Sequence, residues 1–479
     1  MQCLTKGLIH LGFSAGDVIS VALPNCIEYP MIVLGGAAAQ CVVSPINAAY
    51  TDRELRGLLE ASAAKMVVTN LENYEKIRKA TETMQNVKIM LIDSAAVGRK
   101  GRQDVLTLIE VCNIASRSSL PEFSGGDGDS VLLLPFSSGT TGKPKGVMLT
   151  HRNYIANIVQ MEPLNLGMEG KKNVLIMPMF HAGGMKTLME ALYQGGKTIT
   201  LPSFTPDTYL DALLKHQPET LMMAPPLVQF VSKSEKATTK YLEKLEKAFV
   251  GAAPVGESLI HDFLKKAPNA QFREVWGMTE LSAVGTFTTE KIVPGSCGKI
   301  LPNSKLKVVD LESGKNLGPG KENKGEICIW GPQVMKGYLN NDAETKHTMR
   351  EGWIHTGDIG YFDEDENIYI SDRLKELIKV KGYQVAPAEL EDVIRSIPEV
   401  TDVAVIGIDC PRNGEVPRAY VVSSSAALEE NQIKSFVASK LSPYKHLEGG
   451  VVLVKEIPKS PAGKILRKDL KADYVKKGF

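Results

Sequence analysis

Short apolar runs alternate with amphipathic stretches through the first half of the chain. Runs this short and this rich in aliphatic residues predict buried strands, at Val18–Leu23, Met66–Thr69, Val87–Ile92, Val131–Phe136, Val174–Pro178, Thr198–Leu201, Thr220–Ala224 and Lys247–Gly251. Between them, apolar residues recur at helical spacing over Thr51–Ala63, Met185–Gln194, Thr208–Lys215 and Ser258–Lys266. Because strands and helices alternate, we expect parallel sheets wound by crossover helices.

The pattern changes after this region. From Gly295 to Ile370 the helical periodicity fades, and turn residues separate short strands such as Leu306–Val309 and Gly325–Trp330, which predicts a mostly antiparallel β subdomain. A smaller α/β unit follows the charged segment Asp372–Lys375, with strands at Val403–Ile408, Ala419–Ser423 and Val451–Val454 and helices at Pro387–Ser396 and Glu429–Leu441. We therefore place a domain boundary at that charged segment.

Composition narrows the class of protein. A chain of 479 residues has room for two or three domains, and 43% hydrophobic residues with a net charge of +1 are typical of a globular protein without a nucleic-acid partner. Seven scattered cysteines, none in a Cys-x-x-Cys pair, favour reduced thiols inside the cell. No segment is long and apolar enough to cross a bilayer. The chain starts without a signal peptide and ends without a Ser-Lys-Leu tripeptide, so we expect the cytoplasm.

The segment Ser137–Gly146 is the strongest chemical signal. It contains three glycines, several hydroxyl groups and two lysines, and it stands between a predicted strand and a predicted helix that begins near His151. Backbone amides freed by glycine, together with hydroxyl and ammonium groups, suit a polyphosphate. The spacing is not that of a Walker loop. An ordinary surface loop is the alternative, but it does not require this many phosphate-binding groups.

Three further segments carry groups suited to a nucleotide. Trp276–Glu280 closes a predicted strand, where open parallel sheets bind ligands, and its hydroxyl and carboxylate suit a phosphate and Mg²⁺; a helix-capping pair is an equal alternative. Thr356–Asp358 offers a carboxylate for the two ribose hydroxyls, although Gly-Asp is also common in turns. Lys464 is a solvated loop lysine unless the small domain folds over the nucleotide.

His181 lies in an apolar run and is followed closely by Gly183 and Gly184. A lone histidine in such a run is often a core residue. The two glycines leave space beside the imidazole, which favours the wall of a pocket.

Taken in order along the chain, these motifs resemble the acyl-adenylate-forming superfamily of acyl-CoA synthetases, 4-coumarate–CoA ligases, beetle luciferases and peptide-synthetase adenylation domains. The similarity covers nearly the whole chain and is most specific at Ser137–Gly146, Trp276–Glu280, Thr356–Asp358, Asp372–Gln384 and Pro458–Lys464. Gly325–Gly331 is similar to a segment of coumarate ligases, with Trp330 where those carry Arg. The resemblance implies an α/β large domain of two doubly wound sheets plus a β subdomain (residues 1–371), a hinge (372–375) and a smaller mobile C-terminal α+β domain (376–479).

The resemblance also implies a two-step reaction with ATP, Mg²⁺ and coenzyme A. The carboxylate of a small-molecule acid attacks the α-phosphate to give acyl-AMP and pyrophosphate, and the CoA thiolate then displaces AMP. The residues that would bind ATP or AMP are Ser137, Ser138, Gly139, Thr140, Thr141, Gly142, Lys143, Lys145, Gly251, Ala252, Ala253, Trp276, Gly277, Met278, Asp358 and Arg373. The catalytic residues would be Lys464, Lys379, Thr279, Glu280 (also the Mg²⁺ ligand) and His181.

In that scheme the small domain rotates between the two steps. Rotation would remove Lys464 and present Lys379, and CoA would contact Lys381, Gly382, Tyr383 and Gln384. The acid pocket would be formed by His181, Gly183, Gly184, Lys186, Ala253 and Leu281. Hydroxycinnamate ligases carry Tyr where Gly183 stands and luciferases carry Phe. The missing ring favours a roomier apolar slot and a fatty or related hydrophobic acid.

Other functions remain open from the sequence. They are an aryl acid ligase of the 4-coumarate type, a luciferase-type monooxygenase and a non-catalytic nucleotide-binding homologue; a carrier-loading adenylation domain is less favoured. Family members usually carry a further segment before the equivalent of Leu4–Gly12, and we expect its absence to weaken the first sheet.

Overall fold

A computed structural model of the chain describes residues 1–93, 105–114, 127–138, 144–164, 166–252, 255–289, 292–374, 376–380, 383–410, 414–460 and 463–476. For Ser138, Asp372, Tyr383 and Gln384 it describes the backbone only. Several residues with predicted roles therefore lie outside the described residues, namely Gly139, Thr140, Thr141, Gly142, Lys143, Ala253, Lys375, Lys381 and Gly382.

The first part of the chain alternates strands and helices as predicted. In chain order these are α1 (Gln2–His10), β1 (Val18–Val21), α2 (Tyr29–Ala38), β2 (Val42–Pro45), α3 (Asp52–Ser62), β3 (Ala64–Thr69), α4 (Leu71–Thr81), β4 (Lys88–Leu91), β5 (Val105–Thr107), α5 (Leu108–Ile114), β6 (Val131–Leu133), β7 (Phe136–Ser138), β8 (Pro144–Thr150) and α6 (His151–Val159). Helix α3 begins at a capping box, because the Thr51 hydroxyl accepts from the Glu54 amide and the Glu54 carboxylate accepts from the Thr51 amide.

These strands form the first sheet in the order β8-β6-β2-β1-β3-β4-β5, with β7 paired to β8. The strands from β6 to β5 run parallel, whereas β8 is antiparallel to β6. The run predicted as one strand at Val131–Phe136 is divided between β6 and β7. The sequence pattern does not predict β8. Because β7 and β8 pair, the glycine-rich segment joins the two strands of a hairpin, whereas the sequence predicted that it leads directly into a helix.

The second part of the chain builds a second parallel sheet. Its elements are a helical turn (Glu162–Leu164), β9 (Lys172–Leu175), α7 (Ala182–Tyr193), β10 (Lys197–Thr200), α8 (Pro206–His216), β11 (Thr220–Met223), α9 (Pro225–Lys233), a turn (Thr239–Tyr241), β12 (Lys247–Val250), α10 (Glu257–Lys266), β13 (Gln271–Trp276), a turn (Thr279–Leu281), β14 (Thr286–Phe287) and β15 (Lys299–Ile300). The order is β10-β9-β11-β12-β13-β14-β15, and only the last two strands are antiparallel to their neighbours.

An antiparallel sheet follows, in the order β17-β16-β18-β21-β20 with β22 paired to β21. Its elements are β16 (Lys305–Val309), β17 (Asn316–Leu317), β18 (Gly325–Trp330), β19 (Gly337–Tyr338), α11 (Asp342–Thr348), β20 (Met349–Arg350), β21 (Trp353–Phe362) and β22 (Ile368–Arg373). The short strand β19 does not belong to this sheet; it pairs with β8 and forms the edge of the first sheet. Through β19 the β subdomain is joined to the hairpin that carries the glycine-rich segment.

The C-terminal part forms a separate small sheet with its own hydrophobic core. Its elements are β23 (Ile378–Val380), β24 (Tyr383–Val385), α12 (Pro387–Arg395), β25 (Val400–Cys410), β26 (Gly414–Ser423), α13 (Glu430–Lys440), a turn (Pro443–Lys445), β27 (Val451–Leu453) and α14 (Arg467–Lys476). The predicted fold class is confirmed: two wound sheets, a β subdomain and a smaller C-terminal α+β domain. No helix in the described part of the chain is long and apolar enough to cross a membrane.

Candidate active site

The predicted nucleotide-binding residues of the second sheet lie at the ends of β12 and β13. Parallel strands present their carboxyl ends at one edge, so the residues after Val250 and Trp276 come together there. Gly277 is required by packing, because a Cβ atom at this position would lie 2.0 Å from the carbonyl oxygen of Ala283. Ala252 adopts a positive φ of 78°, which marks an irregular turn at this edge.

Asp358 stands at the centre of the predicted ribose site. Its side chain is buried, and its Oδ2 accepts a hydrogen bond of 2.9 Å from the indole Nε1 of Trp276. Its Oδ1 lies 3.0 Å from Nε of Arg373, but accepts no well-formed hydrogen bond from the described residues. Burial raises the pKa of Asp358, and Arg373 and Trp276 oppose that rise. An acceptor atom is thus available beside a half-exposed guanidinium group.

Glu280, the predicted Mg²⁺ ligand, is buried beneath the hairpin. Its Oε1 accepts from the Tyr338 hydroxyl at 2.9 Å and lies 3.3 Å from the Ser137 hydroxyl. Its backbone carbonyl accepts from the Met335 amide at 2.8 Å. Its Oε2 accepts no hydrogen bond from the residues that the structure describes, which leaves one carboxylate oxygen for a ligand. Sequence reasoning did not identify Tyr338, which reaches Glu280 only because β19 pairs with β8.

Lys145, in strand β8, forms an ion pair with Glu344 at the start of α11. Its ammonium nitrogen also lies 5.3 Å from the centre of the Tyr338 ring. Both contacts hold the lysine at the base of the hairpin that carries the glycine-rich segment. Glu344 is another residue that the sequence reasoning did not identify. It follows Asn341, whose side chain caps α11, and this local capping pattern was the available signal.

Lys464 reaches the large domain from a small hairpin. The hairpin is closed by a bridge between Lys459 and Ile465 and by the Ser460 amide, which donates to the Lys464 carbonyl at 2.8 Å. Gly463 has a φ of 81°, and a Cβ atom there would lie 3.0 Å from Pro226 of α9. The hairpin therefore packs closely against the large domain, and the positive φ together with this close contact favours glycine at position 463.

The charges around Lys464 come from both domains. Burial lowers the pKa of its ammonium group and Arg373 lowers it further, whereas the carboxylates of Asp358 and Glu280 act to raise it. His181 belongs to the same neighbourhood: burial, and to a lesser extent Lys464, lowers its pKa to about 4. The structure thus brings together Lys464, Asp358, Arg373, Glu280 and His181, which lie far apart in the sequence.

The predicted acid pocket is only partly as expected. A Cβ atom at Gly183 would approach only the flexible Cε of Met177, at 2.9 Å, so a shift of that methionine is enough to admit a side chain there. Gly184 has a different role, because a Cβ atom would lie 2.1 Å from the carbonyl oxygen of Pro178; helix packing requires this glycine. Leu281 is fully buried in the large-domain core and not on an open wall.

Lys186 is buried and its charge is already balanced. Its Nζ lies 2.8 Å from Oε2 of Glu190 and donates to the Asn157 carbonyl at 3.0 Å. Burial lowers its pKa to about 8, although Glu190 opposes the shift. The pair borders a cavity of about 20 Å³ with an otherwise largely apolar lining of Met161, Leu166, Met168, Thr187, Met222, Phe249, Val275, Val284 and Phe287.

Lys379 lies away from this cluster. It is exposed on β23, and its backbone amide donates to Oε2 of Glu415 at 2.9 Å within the small domain. The side chains of its predicted neighbours Tyr383 and Gln384 are outside the described part. The arrangement therefore places one predicted catalytic lysine in the site and leaves the other on the surface.

Comparison with known proteins shows a match along nearly the whole chain. The AMP-binding enzyme model matches residues 1–339, and the AMP-binding enzyme C-terminal domain model matches residues 389–464. The chain belongs to the AMP-binding enzyme family. Within it, the chain falls among the adenylate-forming acid–CoA ligases, which confirms the resemblance seen in its motifs. It is 38% identical to 4-coumarate–CoA ligase 3 of Oryza sativa subsp. japonica, over 97% of this chain and 84% of that one. It is 37% identical to 4-coumarate–CoA ligase of Pinus taeda, over 99% and 88%.

Solved structures of AMP-binding enzymes also match the whole arrangement. ATP-bound MatB from Rhodopseudomonas palustris is 26% identical, with a TM-score of 0.87 over 98% of this chain and 91% of that chain. Apo MatB has the same identity and coverage but a TM-score of 0.76. A Mycobacterium tuberculosis fatty acyl CoA synthetase is 26% identical with a TM-score of 0.73, over 99% and 91%. The arrangement of this chain is therefore closer to ATP-bound MatB than to the apo form.

Proposed function

We propose that this AMP-forming acid–CoA ligase converts a hydrophobic carboxylic acid to its acyl-AMP in a single site built by both domains. The observation that carries the proposal is the position of Lys464. Its ammonium group, on the small domain, lies within electrostatic range of Asp358 and Glu280 on the large domain. The present domain arrangement matches ATP-bound MatB better than apo MatB, which supports its assignment to the first, ATP-dependent step.

In this proposal the ribose of ATP binds between Asp358 and Arg373. The available Oδ1 of Asp358 accepts from ribose hydroxyls, while Trp276 holds the other carboxylate oxygen. Gly251, Ala252, Gly277 and Met278 form the backbone edge beside the nucleotide. A charge-assisted hydrogen bond of this kind is among the stronger ones a protein makes.

The phosphates bind between the hairpin and the turn at Thr279–Leu281. Thr279 contacts the α-phosphate, and Ser137 and Lys145 contact the outer phosphates together with the segment 138–143. Lys145 then exchanges its contact with Glu344 for phosphate oxygens. The carboxylate oxygen of the acid attacks the α-phosphorus, pyrophosphate leaves, and Lys464 stabilises the negative charge that develops there.

The Glu280 carboxylate fits a divalent cation. Its Oε2 is not used by the described residues, and Tyr338 holds Oε1 in place. Hard oxygen ligands of this kind are those that Mg²⁺ prefers, and most of its remaining positions are usually filled by water and substrate phosphates. Bound Mg²⁺ would supply charge neutralisation on the phosphates, and Glu280 is the residue that would hold it.

The second step needs another arrangement of the small domain. CoA thiolate attacks the acyl carbon of acyl-AMP and AMP leaves. We propose that residues 372–375 act as the hinge and that rotation about them withdraws Lys464 and presents Lys379, with Lys381, Gly382, Tyr383 and Gln384 along the CoA path. The surface position of Lys379 supports this, because its side chain is exposed in the present arrangement.

The role of Lys464 is tested by separating the two half-reactions. We expect Lys464→Ala to slow pyrophosphate release by about 10²–10³-fold, the scale of losing one transition-state donor. Thioester formation from supplied acyl-AMP should change far less, because the lysine acts only in the first step. Equal losses in the two half-reactions, measured on the same preparation, would contradict the assignment.

The acid is proposed to be aliphatic and hydrophobic. A side chain at Gly183 would meet only the flexible end of Met177, and the cavity of about 20 Å³ along α7 is lined partly by methionines, whose side chains can move to admit a chain. The Lys186–Glu190 pair is internally neutral, so it offers no net charge to a second carboxylate. The relatives named 4-coumarate–CoA ligases make an aryl acid the second candidate.

A panel of acids with a Gly183→Phe variant decides between the candidates. We expect wild-type kcat/KM to be higher for straight-chain acids than for 4-coumarate, with gains of about 0.8 kcal/mol per fully buried methylene. Gly183→Phe should weaken the straight-chain acids selectively and leave the KM for ATP nearly unchanged. A wild-type enzyme that prefers 4-coumarate to every straight-chain acid would establish the aryl acid instead.

A further inference from the structure

The segment Thr356–Asp358 forms a bulge in strand β21. On one side of it, His355 pairs with Cys328 of β18; on the other, Ile359 pairs with Glu326. Three residues of β21 therefore stand opposite Ile327 alone. Bulges commonly occur beside active sites, where they redirect a side chain out of the regular ladder. Here the redirected side chain is that of Asp358.

A bulge of this length leaves backbone donors without ladder partners, and side chains satisfy them here. The Gly357 amide donates to Oε1 of Glu326 at 3.1 Å. The Asp358 amide donates to the Thr356 hydroxyl at 3.1 Å, and that hydroxyl donates to the Ile327 carbonyl at 2.7 Å. Gly357 has a φ of 70°, a conformation that favours glycine. Glu326 thus replaces an acceptor that the bulge removes.

The second oxygen of Glu326 is held as well. Its Oε2 lies 2.7 Å from Nδ1 of His355, and both side chains are largely buried, at 13% and 11% exposure. Sγ of Cys328 lies 3.3 Å from the same nitrogen. The three residue types are ones that bind metals, and their ligand atoms lie within 4.8 Å of one another. Both carboxylate oxygens and Nδ1 are already engaged, so the cluster is a hydrogen-bonded network.

The same peptide segment also anchors the chain before the proposed hinge. The Gly357 carbonyl accepts from the Leu374 amide at 2.8 Å. Leu374 directly follows Arg373, which faces Asp358, and directly precedes Lys375. The bulge therefore sets the direction of Asp358. It also accepts the hydrogen bond from Leu374, the residue directly before Lys375.

We propose that Glu326, held by His355, is a positioning residue for nucleotide binding. Its carboxylate fixes the Gly357 peptide and so keeps Asp358 aimed at the ribose. The inference rests on the proposed ribose role of Asp358. Glu326 itself contacts no substrate in this scheme, so its loss should affect only what Asp358 recognises, which is the pair of ribose hydroxyls.

The test compares binding of AMP with that of 2′,3′-dideoxy-AMP by calorimetry. We expect the wild-type protein to prefer AMP by about tenfold or more, because hydrogen bonds to a charged group are lost in the analogue. Glu326→Ala should lose most of that preference while its affinity for the dideoxy nucleotide stays unchanged. Glu326→Gln, which keeps an oxygen acceptor for Gly357, should retain most of it. An equal loss for both nucleotides, or no loss, overturns the proposal.

Two further variants separate the possible failures. If the Asp358→Asn variant keeps the full preference for AMP over the dideoxy nucleotide, the ribose assignment itself is refuted. Asp358→Asn that loses the preference while Glu326→Ala keeps it refutes only the positioning role. Cys328→Ala is the matched control from the same cluster, since it does not contact Gly357; a loss equal to that of Glu326→Ala refutes the specific role. Should Glu326→Ala fail to fold, His355→Ala replaces it and must also lose preference.

Discussion

At the scale of single residues, Glu274 is a carboxyl group that folding removes from water without an ion pair to any described cation. It is mostly buried in strand β13, and among the described residues its carboxylate accepts one hydrogen bond, of 3.3 Å, from the Val255 amide to Oε1. Burial is the main cause that raises its pKa to about 7. Since an unfolded glutamate titrates near pH 4.5, the folded protein holds a proton over a range in which the unfolded chain has lost it.

This difference predicts how stability changes with pH. Between about pH 4.5 and 7 the folded state binds more protons, so the free energy of unfolding must fall as pH rises, and the loss is complete above pH 7. We expect Glu274→Gln to match the wild type near pH 4.5 and to be more stable at pH 8, by at most about 3 kcal/mol. Urea unfolding across this range measures it.

The control for this experiment is Glu235→Gln, in an exposed position of the large domain. Its substitution also removes one negative charge, but from a side chain already in water. A stability gain of Glu235→Gln equal to that of Glu274→Gln would assign the effect to net charge. A Glu274→Gln protein with the pH dependence of the wild type would show that Glu274 is not the titrating group.

The residues that sequence reasoning identified are those whose chemistry is visible without a partner. Asp358, Glu280 and Lys464 each stand in a short motif, and the structure brings them together. Tyr338 and Glu344 were missed because neither belongs to a motif that indicates nucleotide chemistry. Their roles arise from contacts made across more than a hundred positions of sequence or through an added strand.

At the scale of elements, hydrophobic periodicity predicted most strands of the two wound sheets but not β2 or β5, and among their helices only α3, α7, α8, α10 and the start of α6. It failed at β8, where a polar beginning and a glycine hide a strand that is stabilised by its partner β7. It also gave no sign of the bulge in β21, since alternation along one strand does not fix its register against another. The bulge exists because side chains such as Glu326 satisfy its amides, which is a tertiary effect.

The same limit applies to the two glycines after His181. Sequence alone suggested that both open a slot for the acid. The structure separates them, because a side chain at Gly183 would meet only the flexible end of Met177, whereas one at Gly184 would meet the Pro178 carbonyl. Absence of a side chain has two possible reasons, close packing or free volume, and only the surrounding atoms distinguish them.

At the scale of the whole molecule, the described contacts between the two domains include two that link α9 to the small domain. Gly463 packs against Pro226, and the side-chain amide of Gln229 donates a hydrogen bond of 2.8 Å to the Thr401 carbonyl. These residues are far apart in sequence and carry no pattern that would predict their pairing. Contacts of this kind between domains are compatible with relative motion. The sequence motifs implied two arrangements, and the structure describes one of them.

In the proposed scheme, Lys464 and Lys379 act in different arrangements of the small domain, so only one of them is in the active site at a time. Lys464 occupies the site, and Lys379 is exposed on β23. If the small domain rotates between steps, Lys379→Ala should leave pyrophosphate release in a single turnover near the wild-type rate. It should slow acyl-CoA formation from supplied acyl-AMP by about tenfold or more, the reverse of the pattern for Lys464→Ala.

The control is Lys468→Ala, which replaces an exposed lysine of α14 and should spare both steps. A Lys379→Ala enzyme that loses pyrophosphate release first would mean that this surface serves adenylation, and the two-arrangement scheme would not apply to this chain.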